Sequence, residues 1–267
     1  MQGILVVDKP EGFTSFDVVA KLRGICGTRR IGHGGTLDPM ATGVLPVFVG
    51  GAAKAVDMQE RADKMYTATM LLGRRTDTGD VTGETLEQAA VPADIGLDAV
   101  AAVLPRFTGT QQQVPPMYSA VKIGGKKLYE LARKGREVER KPRPVTIHAL
   151  ELLERTGAGD YLLRVRCSKG TYVRTLCHDI GAALGCGGCM SALRRTEAAG
   201  FSLAEAVPLE ALLDAPDPAA LLRPVDAYFF RYPAVTVEGT ALRKAKNGNP
   251  FPCSAADGDW RVYGPGG

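Results

Sequence analysis

The sequence predicts a mixed α and β chain in which strands and helices succeed one another without an internal repeat. Three observations carry that expectation. Lys64 to Leu72 alternates, placing Tyr66, Ala68, Met70 and Leu72 on one face of a strand. Thr14 to Gly27 has helical spacing of apolar residues between hydroxyl caps and a glycine stop. Val145 to Leu153 and Tyr161 to Cys167 read as two strands around the turn Thr156-Gly157-Ala158-Gly159-Asp160.

The other elements follow in order. Ile4 to Val7 is a short apolar strand, and Lys9-Pro10-Glu11-Gly12 turns the chain. In the first helix, Phe16, Val18, Val19, Leu22 and Ile25 are expected on one buried side. Residues 32–51 carry six glycines, which predicts a loop leading into the apolar segment Val44 to Val49. Ile95 to Phe107 reads as a helix ended near Pro105, and Gln111 to Pro116 as irregular. Lys126 to Lys134 reads as a short helix stopped by Gly135, and Thr171 to Leu184 as a helix with Val173, Leu176, Cys177, Ile180 and Leu184 at helical spacing. A more acidic, proline-punctuated stretch runs from Ser202 to Pro224. From Tyr232 the pattern changes to short β-like pieces with turns at Asn247-Gly248-Asn249-Pro250 and Asp257-Gly258-Asp259, so a boundary is set between 1–231 and 232–267. About 35 residues are too few for a robust core, so this last unit either leans on the main one or is cut short.

Composition narrows the class. With 267 residues, 45% hydrophobic and 23% charged, the chain is globular and not collagen-like, mucin-like or wholly disordered. Its net charge is only +4, so the distribution of charge must decide whether a polyanion is a partner. The N-terminus reads as a strand and lacks the features of a signal peptide, while the longest apolar stretch, Ala41 to Ala53, is broken by Gly43, Pro46, Gly50 and Gly51. Six scattered cysteines in a chain this large are expected to be reduced, in a cytoplasmic protein without membrane contact.

Three segments concentrate special residues. In Ile31-Gly32-His33-Gly34-Gly35-Thr36-Leu37-Asp38-Pro39-Met40-Ala41-Thr42-Gly43, glycines allow close approach of a ligand and Pro39 fixes the direction of Asp38. An aspartate before proline is more often a plain turn former, and a lone histidine such as His33 is more often packing than a ligand. In Arg164 to Arg174, a basic strand end, Gly170 and a helix N-terminus form an anion-binding corner, though an ordinary solvated turn has the same composition. Arg174 in a first helical turn opposes the helix dipole, which points to a carboxylate or phosphate partner. Lys122 to Arg143 holds nine basic residues against three glutamates, behind the aromatic of Pro115-Pro116-Met117-Tyr118. Such a run is usually a solvated face; here it fits salt-sensitive contact with a phosphate backbone, with Lys122, Lys126 and Lys127 as candidates. Cys186-Gly187-Gly188-Cys189 is a single CxxC pair and reads as packing, and Asp77, Asp80 and Glu84 lack an EF-hand series and read as a polar loop. No metal site is expected.

Taken in order, these segments resemble the TruB family of tRNA pseudouridine synthases. The resemblance rests on Lys9-Pro10-Glu11-Gly12-Phe13-Thr14-Ser15, Gly32 to Gly43, Lys64-Met65-Tyr66, Thr76 to Asp80, Pro115 to Lys122, Ser168 to Leu176 and Leu193-Arg194-Arg195-Thr196. It spans about residues 3–232. It implies an α+β fold around a mixed, largely antiparallel sheet with a catalytic cleft, and isomerisation of uridine to pseudouridine at position 55 in the T-loop of tRNA. Asp38 matches the family's catalytic aspartate, Tyr66 the tyrosine that stacks on the uracil and is proposed to assist proton removal, and Arg174 the arginine that pairs with the carboxylate. Tyr172 matches a pocket residue, Leu193 an apolar wall of the uracil site, and His33 a residue that helps hold the T-loop. Lys9 and Pro10 match a structural motif beside the cleft. Residues 115–143 correspond to a tRNA-contacting insertion, and 232–267 to a PUA-like RNA-binding domain that lacks its closing strands.

The implied reaction oxidises and adds nothing overall, so no cofactor is required. The arginine is expected to hold the Asp38 carboxyl below its ordinary pKa. The bacterial type implies a monomer acting on tRNA without guide RNA or obligate protein partner, unlike the dyskerin branch, which shares the motifs. A catalytically silent RNA-binding protein on the same fold is the competing reading; it needs neither Asp38 nor Arg174, and both are present.

Overall fold

The computed structural model describes residues 1–58 and 63–266. Gly267, the last residue of the expected C-terminal unit, lies outside them. The chain begins with β1 (Gly3–Lys9), α1 (Ser15–Cys26), β2 (Ile31–His33), β3 (Thr42–Val49) and β4 (Lys64–Leu72). It continues through β5 (Arg74–Thr76), β6 (Thr85–Gln88), α2 (Leu97–Val103), β7 (Gly109–Gln113), β8 (Lys122–Ile123), β9 (Lys126–Lys127) and α3 (Leu128–Ala132). Then come β10 (Arg143–Arg155), β11 (Asp160–Cys167), α4 (Val173–Ala183), β12 (Gly188–Ala198), β13 (Phe201–Ser202), β14 (Val207–Pro208) and α5 (Leu209–Leu213). The C-terminal part holds β15 (Ala234–Thr236), α6 (Gly239–Lys246) and β16 (Arg261–Tyr263).

Ten strands form one mixed sheet in the order β14-β1-β3-β12-β4-β11-β10-β7, with β2 added on β3 and β13 on β12. The β1–β14 and β3–β12 pairs are parallel and every other neighbour is antiparallel, as the family resemblance implies. Apolar alternation in β4 buries Tyr66, Ala68, Met70 and Leu72 under α4 and α2, in a cluster with Leu163, Val165, Leu176 and Ile180. A second cluster packs α1 and α5 on β1 and β3 through Leu5, Val18, Leu22, Leu45 and Leu212. The first helix begins with a reciprocal capping box between Thr14 and Asp17 and ends on left-handed Gly27, as its caps predict.

Several expectations are corrected. Phe16 faces outward at 62% exposure beneath the Arg23 guanidinium, and Cys26 takes a buried place on the helix instead. Gln111 to Gln113 belong to an edge strand, because β7 borrows its ladder from β10 despite glutamine's poor strand propensity. Lys126 and Lys127 are not helical: Gly124 and Gly125, both with positive φ, turn a short hairpin from β8 to β9. The glycine-rich 32–51 segment is partly strand, since β2 carries His33. The largest omission is β12, a central strand of 11 residues. Its glycine start and its paired arginines hide the alternation. Gly43 shows how tightly it docks: φ is +103° and a Cβ there would collide with the backbone of Arg195.

Beyond residue 231 the parallel pair β15–β16 flanks α6, a helix of eight residues that the sequence reading did not anticipate. This unit is tied to the preceding segment by Tyr263, whose hydroxyl donates to Asp226 over 2.7 Å, and is braced internally by Arg261, whose Nε donates to the Tyr232 carbonyl. Among the described residues no helix is long and apolar enough to cross a membrane.

Candidate active site

The turn from β2 to β3 delivers Asp38 to a cavity of about 220 Å³ at the centre of the sheet. That volume is below the roughly 300–1,000 Å³ of drug-sized sites and suits a single nucleobase. Its walls include Thr36, Asp38, Lys64, Tyr66, Ser119, Gly170 to Arg174 and Leu193. A wider hollow of about 580 Å³ lies elsewhere, lined by Ala101, Leu104, Pro105, Thr108, Leu150 and Leu152, and offers no ionisable side chain.

Two anchors hold the Asp38 turn. Ser15 accepts the Leu37 N–H over 2.8 Å, and the Lys9 ammonium donates to the carbonyls of Pro10, Phe13 and Pro39. Lys9 is wholly buried, and that burial lowers its pKa to about 8. Thus the Lys9-Pro10 motif is a clamp on the loop beside Asp38.

The partner predicted for Arg174 is that carboxylate. Arg174 Nε stands 3.0 Å from Asp38 Oδ2, and Nη2 donates to Oδ1 at 3.2 Å. Nη2 also donates to the Tyr118 carbonyl and Nη1 to that of Thr78, each at 2.8 Å. A second carboxylate, Asp80, lies 3.4 Å from Nη1. Asp80 is fixed in turn by the hydroxyls of Thr78 and Thr82 and the Thr82 N–H. Arg174 and Asp80 are each 5% exposed and Asp38 32%, so the guanidinium is locked and only one carboxylate keeps an open side.

The electrostatics differ from the expectation. Burial pushes the Asp38 carboxyl above its ordinary value and neighbouring Asp80 adds to that; Arg174 and Lys9 pull it back only in part. The arginine's attraction is real, but the cost of taking the charge out of water exceeds it. Burial likewise raises Tyr66 to about 12.

The sheet accounts for the remaining walls. Tyr66 in β4 lies opposite Arg195 in β12, and Leu193 points to the cavity from the same strand, two residues earlier. Tyr172 is the N-cap of α4 and lies just before the helix, not within its first turn. Its backbone is gripped by Gln113 of β7: the amide of Gln113 donates to the Tyr172 carbonyl, and Gln113 Oε1 accepts the Tyr172 N–H, at 3.0 and 2.8 Å. Asp38, Tyr66, Arg174, Tyr172 and Leu193 therefore meet in one cavity. His33 stands behind that wall without lining it; burial, Arg195 and Lys64 lower its pKa, and Nδ1 has no hydrogen-bond partner among the described residues. Lys122 and Lys126 are exposed on the β8–β9 hairpin, outside the cavity, and the Lys127 ammonium lies over the Tyr129 ring. The hairpin's root does reach the site, through Tyr118.

Sequence reasoning missed Asp80 and Gln113. The signal for Asp80 was present, because a buried arginine with several donors calls for more than one acceptor. Gln113 carried no such signal. Cys189 is buried and Cys186 partly so, and among the described residues no three His, Cys, Asp or Glu side chains converge as a metal set.

Residues 23–173 match the model for the N-terminal domain of TruB family pseudouridylate synthases, and residues 174–229 that for the tRNA pseudouridylate synthase B C-terminal domain. The tRNA pseudouridine synthase B of Burkholderia lata is 48% identical over 259 residues, covering 96% of this chain and 80% of that protein. That of Aromatoleum aromaticum is 48% identical over 271 residues, covering 100% of this chain and 86% of its own. Among solved structures, a Cbf5–Nop10–Gar1 complex superposes with a TM-score of 0.72 at 32% identity, covering 92% of this chain and 67% of the other. An H/ACA RNP bound to a substrate RNA containing 2′-deoxyuridine gives 0.74 at 26%, covering 98% and 74%. Two family segments meeting between Val173 and Arg174, and near-half identity along almost the whole length, place this chain in the TruB family of pseudouridylate synthases.

Proposed function

We propose that this protein isomerises uridine to pseudouridine at position 55 in the T-loop of tRNA, with Asp38 as the catalytic carboxylate. The observation that carries the reading is the Asp38 carboxylate, gripped at two points by Arg174 in a cavity the size of one base. In the reaction the bond from N1 to the sugar carbon breaks, the base rotates, C5 joins the same carbon and loses its proton to solvent, and N1 takes up a proton in its place. Atoms and electrons balance without a second substrate. Asp38 acts in its ionised form, as nucleophile or as stabiliser of the charge that develops on the sugar or base. Arg174 positions it, and Asp80 positions Arg174.

Reaching the base requires flipping it from its stack, at a cost of a few kcal/mol. Stacking on Tyr66 returns about 1–3 kcal/mol, with Leu193 and Tyr172 completing the pocket. Near neutrality a phenol titrating at about 12 stays protonated, so Tyr66 serves as platform and hydrogen-bonding group before it serves as a base. Lys122, Lys126 and Lys127 contact the tRNA backbone from the 115–143 insertion, His33 supports the T-loop, and the unit from Tyr232 onward adds RNA contact. The protein acts as a monomer in the cytoplasm, without guide RNA.

The test is tritium release from C5-tritiated uridine in unmodified tRNA. Wild type releases tritium; Asp38→Asn abolishes release while its tRNA affinity stays within about threefold. Substantial turnover by Asp38→Asn refutes the catalytic assignment. Binding without release by the wild type supports the silent RNA-binding alternative.

A further inference from the structure

One wall of the cavity carries charge that no acidic group among the described residues meets. Lys64 begins β4 two residues before Tyr66, so both side chains share one face of the sheet and both line the cavity. Its ammonium lies close to Gly35, where a Cβ would stand 3.1 Å from Lys64 Nζ and 3.7 Å from Arg195 Nη1. Arg195 is completely buried. Its guanidinium donates to the neutral carbonyls of Val44, Gly35 and Thr36, at 2.7, 3.1 and 3.4 Å. Among the described residues neither Lys64 nor Arg195 enters an ion pair.

The remaining titratable neighbours do not supply the missing charge. Those facing Lys64 are Arg195, Lys169, the Cys167 thiol and the neutral His33. Burial and the other cations lower the Lys64 pKa to about 8, so the ammonium is still the main form at neutral pH. Cys167 is paired with Lys64 across β4 and β11 and leads directly into the corner Ser168 to Tyr172. There Gly170 has a φ of +85° with open space at its α-carbon, Lys169 is exposed, and the 11-residue helix α4 begins. Free amides of a first helical turn attract anions, and lysine is a compact point charge suited to phosphate.

We propose that this wall is an RNA-phosphate site, in which Lys64 binds the backbone phosphate adjoining the flipped uridine while Lys169 borders it and Arg195 backs it. The proposal rests on the pseudouridine-synthase reading of the cavity and adds a substrate-binding residue to it. A phosphate brings the full negative charge that Lys64 and Arg195 lack; a neutral uracil on Tyr66 does not. Uncompensated cations on one wall also make the cavity attractive to a nucleotide before the base has docked.

The experiment uses the full chain, tritium release for kcat and KM, and T-arm RNAs with one neutral methylphosphonate at either linkage flanking the target. Lys64→Met is expected to raise KM and Kd about tenfold, more than it lowers kcat. The slope of log Kd against log salt should flatten by about 0.7, the loss of one phosphate contact on a single strand. Lys64→Arg should recover most of the affinity. One of the two methylphosphonates should weaken wild type and leave Lys64→Met unaffected. Lys169→Met, at an exposed position, should flatten the slope without changing the melting temperature, which guards against a folding defect in the buried variant. A fall in kcat with unchanged Kd and slope overturns the proposal, because Lys64 then acts on the base. Equal methylphosphonate penalties in both proteins overturn it too, by placing the phosphate elsewhere. Failure of the parent reading is separate: wild type would then release no tritium at all.

Discussion

The two sides of the cavity solve the problem of buried charge in opposite ways. On the Asp38 side, a guanidinium is shared between two carboxylates and two backbone carbonyls, so its Nη donors are occupied before any substrate arrives. On the Lys64 side, an ammonium and a guanidinium face one another among neutral carbonyls and the Tyr66 phenol, with no carboxylate partner among the described residues. The first side is rigid and self-sufficient, as the catalytic role proposed for Asp38 requires. The second is left incomplete, and its completion belongs to the RNA. A site that must both recognise and transform one nucleotide benefits from this division, since preorganised charge serves the chemical step and unpaired charge serves capture.

The strongest way to break the comparison is to disturb the self-sufficient side. Arg174→Lys keeps the charge but replaces a planar fork with a single point donor that cannot serve Asp38, Asp80 and two carbonyls together. Losing about 3 kcal/mol of such pairing corresponds to roughly a hundredfold fall in kcat, with tRNA affinity little changed. A fall confined to KM would place Arg174 on the binding side. Next in size is the pH response. Because the Asp38 carboxyl titrates above its ordinary 3.8, and the role proposed for it requires the ionised form, the acid limb of kcat/KM should lie above that value. Asp80→Asn removes a negative neighbour that raises this pKa, so the limb should move to lower pH even as the maximum rate declines. A limb that moves upward or stays fixed contradicts the shared-guanidinium account. The smallest effects are expected on the hairpin. Replacing Lys126 and Lys127, together with Arg133 at the end of the adjoining α3, by neutral residues should flatten the salt dependence of tRNA binding while kcat at saturation holds within about twofold. An unchanged slope removes the hairpin from the RNA contact.

The sequence made one half of this legible. Strict alternation announced β4 and therefore the face that Tyr66 occupies, and a cation at a helix start announced that Arg174 needed a carboxylate or a phosphate. The short pieces that carry the family resemblance led directly to Asp38. What stayed hidden depends on contacts between distant segments. Arg194 and Arg195 interrupt any apolar pattern in β12, because the strand buries a full positive charge by hydrogen bonding it to backbone carbonyls in β3 and the preceding turn. Gln111 to Gln113 become a strand only because β10 offers an edge. Asp80 read as a polar loop residue until a guanidinium 94 positions away reached it. Phe16 obeyed helical periodicity and still faces solvent, since the sheet meets a narrower stripe of α1 than apolar spacing suggests.

Asp38 and Arg174 are 136 residues apart in the chain, and β12 slots between strands made earlier. Doubling such a separation adds only about 0.6 kcal/mol of closure entropy, so the cost to stability is small. The cost falls on time. As the chain is synthesised from its N-terminus, Asp38 emerges long before the strand that completes its cavity, and nothing local can build the site in its absence. The nascent protein therefore passes most of its synthesis with the carboxylate made and its guanidinium still to come. Catalytic competence arrives late and all at once, after the sheet has closed around its central strand.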